Sequence, residues 1–155
     1  LSVLRDEDLI RQARQEAGLP GTGGVYIRMP VYVADTAEQA RTEPEASTMR
    51  AYRRLAENFA GSAGKMGTTG AEERSERAAR LSQVTYDDLL RDRVAYGTPD
   101  MVVERLSQLR DEIGLSGVIM ESNVGGFIPL ERVLHSIRLF AQEVAPKLRA
   151  SSHSA

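Results

Sequence analysis

Apolar and polar positions change along the chain between patterns typical of strands and of helices. Residues 6–17 have helical spacing, whereas "VYIRMPVYVA" at residues 25–34 is β-branched and aromatic. We expect a buried strand over at least residues 31–34. Pro30 should mark the start of this strand or a bulge, because proline has no N–H to donate. The helical pattern that follows is interrupted at Pro44, which should kink or split it.

The second half of the sequence repeats the order of strand and helix. After a short helix around residues 85–92, a strand is expected over residues 94–97 and another at "GVIME", residues 117–121. A helix follows each, and the last one begins at Pro129 and ends or bends at Pro146. Three strands that are each followed by a helix predict parallel βαβ units.

Two segments have a composition that differs from the rest of the chain. "GSAGKMGTTGAEERSE", residues 61–76, holds four glycines and almost no large apolar side chain, so we expect a mobile loop. The polar residues 150–155 are expected to form a disordered tail. Residues 1–149 are therefore predicted to be one domain.

The number of predicted strands is too small for a complete parallel sheet. Such a sheet requires helices on both faces or closure into a barrel, and three strands would leave two open edges. The pattern therefore predicts the C-terminal portion of a (β/α)8 TIM barrel, with about three parallel strands. The chain also begins without methionine, which suggests a processed or partial product.

Polar residues follow the predicted strands at their carboxyl ends, where parallel α/β folds bind ligands. Glu121, Ser122 and Asn123 end the apolar run that begins at residue 117, and two glycines follow. Asp35 and Thr36, and Tyr96 to Thr98, hold the corresponding positions after the other strands. The residues predicted to line a substrate pocket are Tyr96, Glu121, Asn123, Gly125 and Gly126.

Each of these positions also has a structural interpretation. Thr36 and Thr98 are well placed as helix caps, and Glu38 or Gln39 could complete a capping box. The glycine pair is more often a tight turn than a phosphate cradle. A carboxylate at the end of an apolar strand, such as Glu121, must be solvated, paired or functional.

Composition excludes several classes of chemistry. Without cysteine the chain has no disulfide, thiolate metal site or cysteine nucleophile, and two distant histidines argue against any metal site or Ser-His-Asp arrangement. His135 is expected at the surface or at the boundary of the core. Acidic residues interleave with the arginines of residues 53–80, so we interpret these as a solvated face: Arg53, Arg54, Arg74, Arg77 and Arg80.

The bulk properties also bear on partners and location. The formal net charge of −2 argues against nucleic acid as a partner. No apolar run approaches the roughly 18 residues of a membrane span, and no signal peptide is visible. The expected location is cytoplasmic.

Several motifs in this order resemble one family. Gly97-Thr98-Pro99 forms a turn before a helix, Gly125-Gly126 follows a strand, and "SIRLFAQEVAP" at residues 136–146 closes the sequence. "VYVADTAEQAR" at residues 31–41 matches a strand followed by a capped helix. Together the motifs are similar to the C-terminal segment of bacterial luciferase-like flavin-dependent monooxygenases.

The resemblance implies an oxidoreductase that uses reduced FMN, or a deazaflavin instead, with O2 to oxidise a small organic substrate. It also implies a flavin reductase as partner, an oligomer, and a mobile loop before the Gly-Thr-Pro turn. Family members are much longer, so the catalytic and flavin-binding positions cannot be assigned here. The chain is therefore expected to be inactive without the N-terminal barrel half or a second chain.

Two other interpretations remain open. A barrel half could be a non-catalytic interaction or scaffold module whose open strand edges pair with another chain. A barrel that handles sugars or phosphates is a weaker possibility, because no glycine fingerprint or basic pair supports it.

Overall fold

The computed structural model describes residues 11–21, 23–63 and 70–151. Residues 11–16 are helical; residues 6–10 of the first predicted helix lie outside the described residues. The other elements are β1 (Tyr26–Val33), α1 (Ala37–Thr42), α2 (Glu45–Ala63), α3 (Ala71–Ser82), α4 (Tyr86–Asp92), β2 (Ala95–Gly97), α5 (Pro99–Ile113), β3 (Gly117–Glu121), α6 (Leu130–Leu139), a π-helical turn (Phe140–Val144) and α7 (Ala145–Ser151). A search of these residues found no helix with the length and apolarity that a membrane crossing requires.

The three strands form one parallel sheet in the order β2-β1-β3. The first part of β1 pairs with β3, with Tyr26 opposite Gly117, and its last three residues pair with β2. The prediction of parallel strands that are each followed by a helix is confirmed. In a barrel of consecutive units, each strand pairs with its neighbours in the sequence. Here β3 is beside β1, and β2 is a short strand on the other edge.

Pro30 lies inside β1, so the prediction that it marks the start of the strand or a bulge is wrong. The N–H of Ala34 donates to the Gly97 carbonyl at 3.1 Å, so even-numbered residues of β1 direct their N–H groups towards β2. Pairing with β2 begins only at Val31. The missing N–H of Pro30 therefore removes no bond from the ladder.

The largest buried cluster lies on one face of the sheet. Met29, Val31 and Val33 point to this face from β1, and their side chains are at most 4% exposed. They pack against α5 and the C-terminal helical region. The other buried members of this cluster are Ala95, Val102, Leu106, Leu109, Leu115, Leu139 and Val144.

The first half of the opposite face of β1 and β3 is open. Tyr26 is 64% exposed and Ile119 is 55% exposed. Arg28 is the next residue after Tyr26 on this face of β1 and lies directly opposite Ile119. In a barrel this face would be the packed interior. An exposed face with large apolar side chains therefore agrees with a sheet that forms part of a barrel.

The predicted loop over residues 61–76 is wrong at both ends. Residues 61–63 belong to α2 and residues 71–76 to α3, whereas residues 64–69 lie outside the described residues. The two helices pack closely: the Arg77 guanidinium lies 4.8 Å from the Phe59 ring centroid, and the Arg74 Nη1 donates to the Ser62 Oγ at 3.1 Å. Large apolar residues are scarce in this segment. The arginine side chains of α3 pack against α2 in their place.

The helix was predicted to end or bend at Pro146; it does not end there, and its regular α-helical geometry is interrupted just before the proline. In an α-helical turn the proline ring would clash with the carbonyl of Gln142. The π-helical turn comes immediately before Ala145, whose N–H donates to the Phe140 carbonyl. A wider turn at this point is the usual way to accommodate such a clash. Residues 150 and 151 are helical, and residues 152–155 lie outside the described residues.

Two serines bond to backbone N–H groups of the β1 region and give a matched test of burial. Ser136 is fully buried and its Oγ accepts from the Val33 N–H at 2.8 Å. Ser116 is exposed and accepts from the Val25 N–H at 3.1 Å. Ser136→Ala should cost about 1–3 kcal/mol, because the N–H is left buried without a partner, and Ser116→Ala about 0.5 kcal/mol or less. Urea unfolding measures both; equal costs would contradict this difference.

Candidate functional site

The carboxyl ends of the strands are staggered. Glu121 is the last residue of β3 and pairs with Pro30, three residues before β1 ends at Val33. The segment after β3 therefore crosses the end of β1, where Ile128 is buried against Tyr32. Helix α1 begins at the same place, and Thr36 and Gln39 form the predicted capping box.

A cavity of 570 Å³ lies between the sheet and one face of α2. It contains three of the five residues predicted to line a pocket, namely Glu121, Asn123 and Gly125. Tyr52 and Leu55 line it from α2. Its other lining residues are Ile27, Arg28, Met29, Pro30, Ala51, Asp92, Arg93, Leu109 and Val124.

Glu121 is paired rather than free. The Arg28 Nη2 donates to the Glu121 Oε1, and the two side chains are 70% and 33% exposed. An ion pair this exposed contributes little to stability. It does neutralise the carboxylate that ends β3, so the cavity carries a paired charge on this side.

Tyr96 lies deeper and does not line this cavity. Its hydroxyl is 2.8 Å from the Thr48 Oγ1, and its ring packs edge-on against Tyr32 with centroids 6.2 Å apart. The pKa of Tyr96 is raised to about 12, mainly by burial; the bond to Thr48 opposes this, and Tyr52 and Glu121 add smaller contributions in the same direction as burial. Tyr96 therefore remains a neutral phenol at neutral pH.

The glycine loop after β3 is held against the first turn of α2. The Ser47 Oγ donates to the Val124 carbonyl at 2.5 Å and accepts from the Phe127 N–H at 2.9 Å. Gly125 has a φ of +86°, and a Cβ there would lie 1.9 Å from the Ser47 carbonyl oxygen. Gly126 also has a positive φ of +78° but faces open space. Both glycines thus serve a tight turn.

Asn123 stabilises the same loop. Its Oδ1 accepts from the Ile128 N–H at 3.1 Å, and its Nδ2 donates to the Ile128 carbonyl at 3.3 Å. The side chain therefore fixes the path of the loop while it forms part of the cavity wall.

Two polar contacts at the end of β1 were not visible in the sequence. The His135 Nε2 is 2.8 Å from the Asp35 Oδ2, although 100 residues separate them. The Tyr32 hydroxyl donates to the Glu43 Oε2 at 2.5 Å, and burial followed by this bond raises the pKa of Tyr32. His135 is about half exposed, which confirms its predicted surface position. No local spacing could have revealed either contact.

Thr98 occupies the predicted N-cap position of α5, but its side chain makes no capping bond. Pro99 follows it as the first helical residue, where its missing N–H has no consequence. The start of α5 therefore depends on Pro99 rather than on the threonine hydroxyl.

The alkaline stability of the protein should depend on Tyr96. Because its pKa is about 12 when folded and 10.0 is the unperturbed value, its contribution is present below pH 10 and is lost as pH rises towards 12. Tyr96→Phe should therefore flatten the fall in unfolding free energy between pH 10 and pH 12. Urea unfolding at several pH values, with absorbance titration of the phenolates, measures this. An unchanged slope in the variant would contradict the assignment.

Comparison with known proteins shows one family. The model of the luciferase-like monooxygenases matches residues 5–116. No curated protein matches the chain.

Three solved structures share the fold. They are monooxygenase RslO1 from Streptomyces bottropensis (23% identity, TM-score 0.58), the oxygenating constituent of 3,6-diketocamphane monooxygenase from Pseudomonas putida in complex with FMN (21%, 0.62), and the riboflavin lyase RcaE with modified FMN and riboflavin (19%, 0.55). The matches cover 93%, 94% and 97% of this chain but 37%, 40% and 36% of those chains. The chain thus spans well under half the length of these proteins.

Proposed function

Because the chain belongs to the luciferase-like monooxygenase family, we propose that it forms the C-terminal part of the barrel of a flavin-dependent monooxygenase. The observation that carries this proposal is the open sheet face bearing Tyr26 and Ile119, which continues into the cavity at the end of β3. Further βα units would cover this face and complete the cavity. The activity then belongs to the completed barrel.

The residues of the cavity fit one wall of a flavin pocket. Pro30 and Leu55 offer apolar surface to a planar ring, and the Tyr52 hydroxyl offers a hydrogen-bond donor. Burial raises the pKa of Tyr52, so it remains a donor at neutral pH. Arg28 is paired with Glu121, which leaves Arg93 as the other cation of this wall. These residues would hold the ring of FMN, or of a deazaflavin, from one side.

The bound reduced flavin would supply the activation of O2. This chain would help to orient the flavin and to exclude water from the pocket. Completion of the barrel would bury the Arg28–Glu121 pair and strengthen it, because fewer waters would screen it. Tyr52 would present a neutral phenol and add no charge near the ring. The substrate would be a small organic molecule that enters from the carboxyl ends of the strands.

The proposal is tested by completing the barrel. The oxygenating constituent of 3,6-diketocamphane monooxygenase is shortened by the region that this chain matches, and this truncated barrel is co-expressed with the chain. Flavin binding and oxidation that depends on reduced FMN are then measured. If the chain instead forms a colourless, well-folded dimer that does not bind the truncated barrel, the result favours a scaffold module.

A further inference from the structure

A second cavity, of 660 Å³, lies on another face of α2. Arg50, Arg53 and Arg54 line it and follow the i, i+3, i+4 spacing of neighbours on one helix face. Phe127 lines the cavity from the glycine loop. The cavity facing the sheet is lined by different α2 residues, so the two cavities are distinct. The remaining lining residues are Ala46 and Glu57.

Several other arginines of the described residues are held by partners. Arg41 is paired with Asp87 and Arg28 with Glu121, and Arg74 and Arg77 contact α2. Within the described ranges, none of the three arginines of the cavity forms an ion pair with a carboxylate. Among the described residues that line the cavity, Glu57 is the one acidic residue, and together with the three arginines it gives this lining a net positive charge.

Phe127 gives this basic cavity an aromatic surface. The ring is 56% exposed, although its backbone N–H is fixed to the Ser47 Oγ. The Arg50 guanidinium carbon lies 3.8 Å from the ring centroid, which is a close cation–π contact. The ring is therefore held in position while much of its surface stays available for a planar group.

Arg53 and Arg54 are exposed, as the sequence interpretation of a solvated face predicts, but they lie on a different side of α2 from the arginines of α3. Arg74 and Arg77 pack against the end of α2, whereas Arg53 and Arg54 point to the side of Phe127. Three guanidinium groups without a described carboxylate partner therefore lie next to an exposed aromatic ring.

We propose that this cavity binds a small phosphorylated molecule with a planar ring, such as a nucleoside monophosphate. Arg53 and Arg54 bind the phosphoryl oxygens, because guanidinium forks match phosphate geometry. The planar ring packs on Phe127, and Arg50 supports both groups. This site goes beyond the proposed function and does not depend on it.

The test compares AMP, adenosine and inorganic phosphate as probes for the 155-residue chain. Calorimetry in low salt should give AMP at least about tenfold tighter binding than either adenosine or phosphate, since charge and ring contacts both contribute. The binding of AMP should weaken as salt rises. Equal binding of AMP and adenosine, or no binding of AMP at millimolar concentration, would overturn the proposal.

Four substitutions at exposed positions sharpen the test. Arg53→Gln and Arg54→Gln should each weaken AMP binding by about tenfold, whereas Arg80→Gln, which removes the same charge from α3, should leave it unchanged. Phe127→Leu should reduce the affinity for AMP to the affinity that the chain has for inorganic phosphate. Circular dichroism confirms that each variant is folded. If Arg80→Gln weakens binding as much as Arg53→Gln, the binding is general charge attraction and the site is refuted.

Discussion

Gly125→Ala should destabilise the protein by about 3 kcal/mol or more, because two penalties act together. The added Cβ would lie 1.9 Å from the Ser47 carbonyl oxygen and 2.7 Å from its carbon, and neither backbone atom can move without shifting α2. The φ of +86° is itself unfavourable for alanine. Chemical unfolding measures the loss, and a local shift should appear in the amide signals of residues 46–49 and 122–128.

Gly126→Ala is the matched control for this substitution. Gly126 has a similar positive φ of +78°, but a Cβ there meets nothing within 4 Å. Its cost should be the conformational penalty alone, about 1 kcal/mol. The difference between the two variants then measures the contact with Ser47. If the two costs agree, the loop does not pack against α2.

Completion of the barrel should convert a chain without measurable flavin affinity into a complex that binds FMN. The chain alone offers one wall of a cavity whose other side is open to water, so stacking and hydrogen bonds cannot offset the cost of ordering the ligand. With the truncated barrel present, FMN affinity should rise by about a hundredfold or more, as a fully lined pocket buries most of its ligand. Flavin fluorescence quenching measures this change.

The same experiment contains its own positive control. The truncated barrel is also combined with its own excised C-terminal region as a separate chain. If that pair binds FMN and the pair with this protein does not, the proposed function fails. Glu121→Gln in the productive complex should lower FMN affinity or turnover, because it removes the partner of Arg28 at the cavity wall.

The parts of the fold that the sequence predicted were those with local causes. The capping box at Thr36, the helix break at Pro44 and the start of α5 at Pro99 all follow from neighbouring residues. Helix α3 was missed because its order comes from contacts with α2, such as Arg77 on Phe59. The position of β3 beside β1 was not predictable either, since strand order depends on pairing between residues about 90 positions apart.

The sequence predicted where the candidate site lies better than it predicted what each of its residues does. The rule that ligands bind at the carboxyl ends of parallel strands located Glu121 and Asn123, and both line the cavity. The sequence could not show that Arg28 pairs with Glu121, or that Asn123 holds the Ile128 backbone. Such partners depend on strand register and loop path, which a single sequence does not specify.

The central claim is that the open sheet face becomes the interior wall of a completed barrel, and cysteine labelling tests it most directly. The chain has no cysteine, so Ile119→Cys on this face and Leu134→Cys on α6 each give one reactive thiol. Both positions are exposed in the chain alone, at 55% and 41%, and should react readily. On addition of the truncated barrel, residue 119 should become protected while residue 134 keeps its rate. If residue 119 stays as reactive as before in a complex that has formed, the face is not a barrel interior.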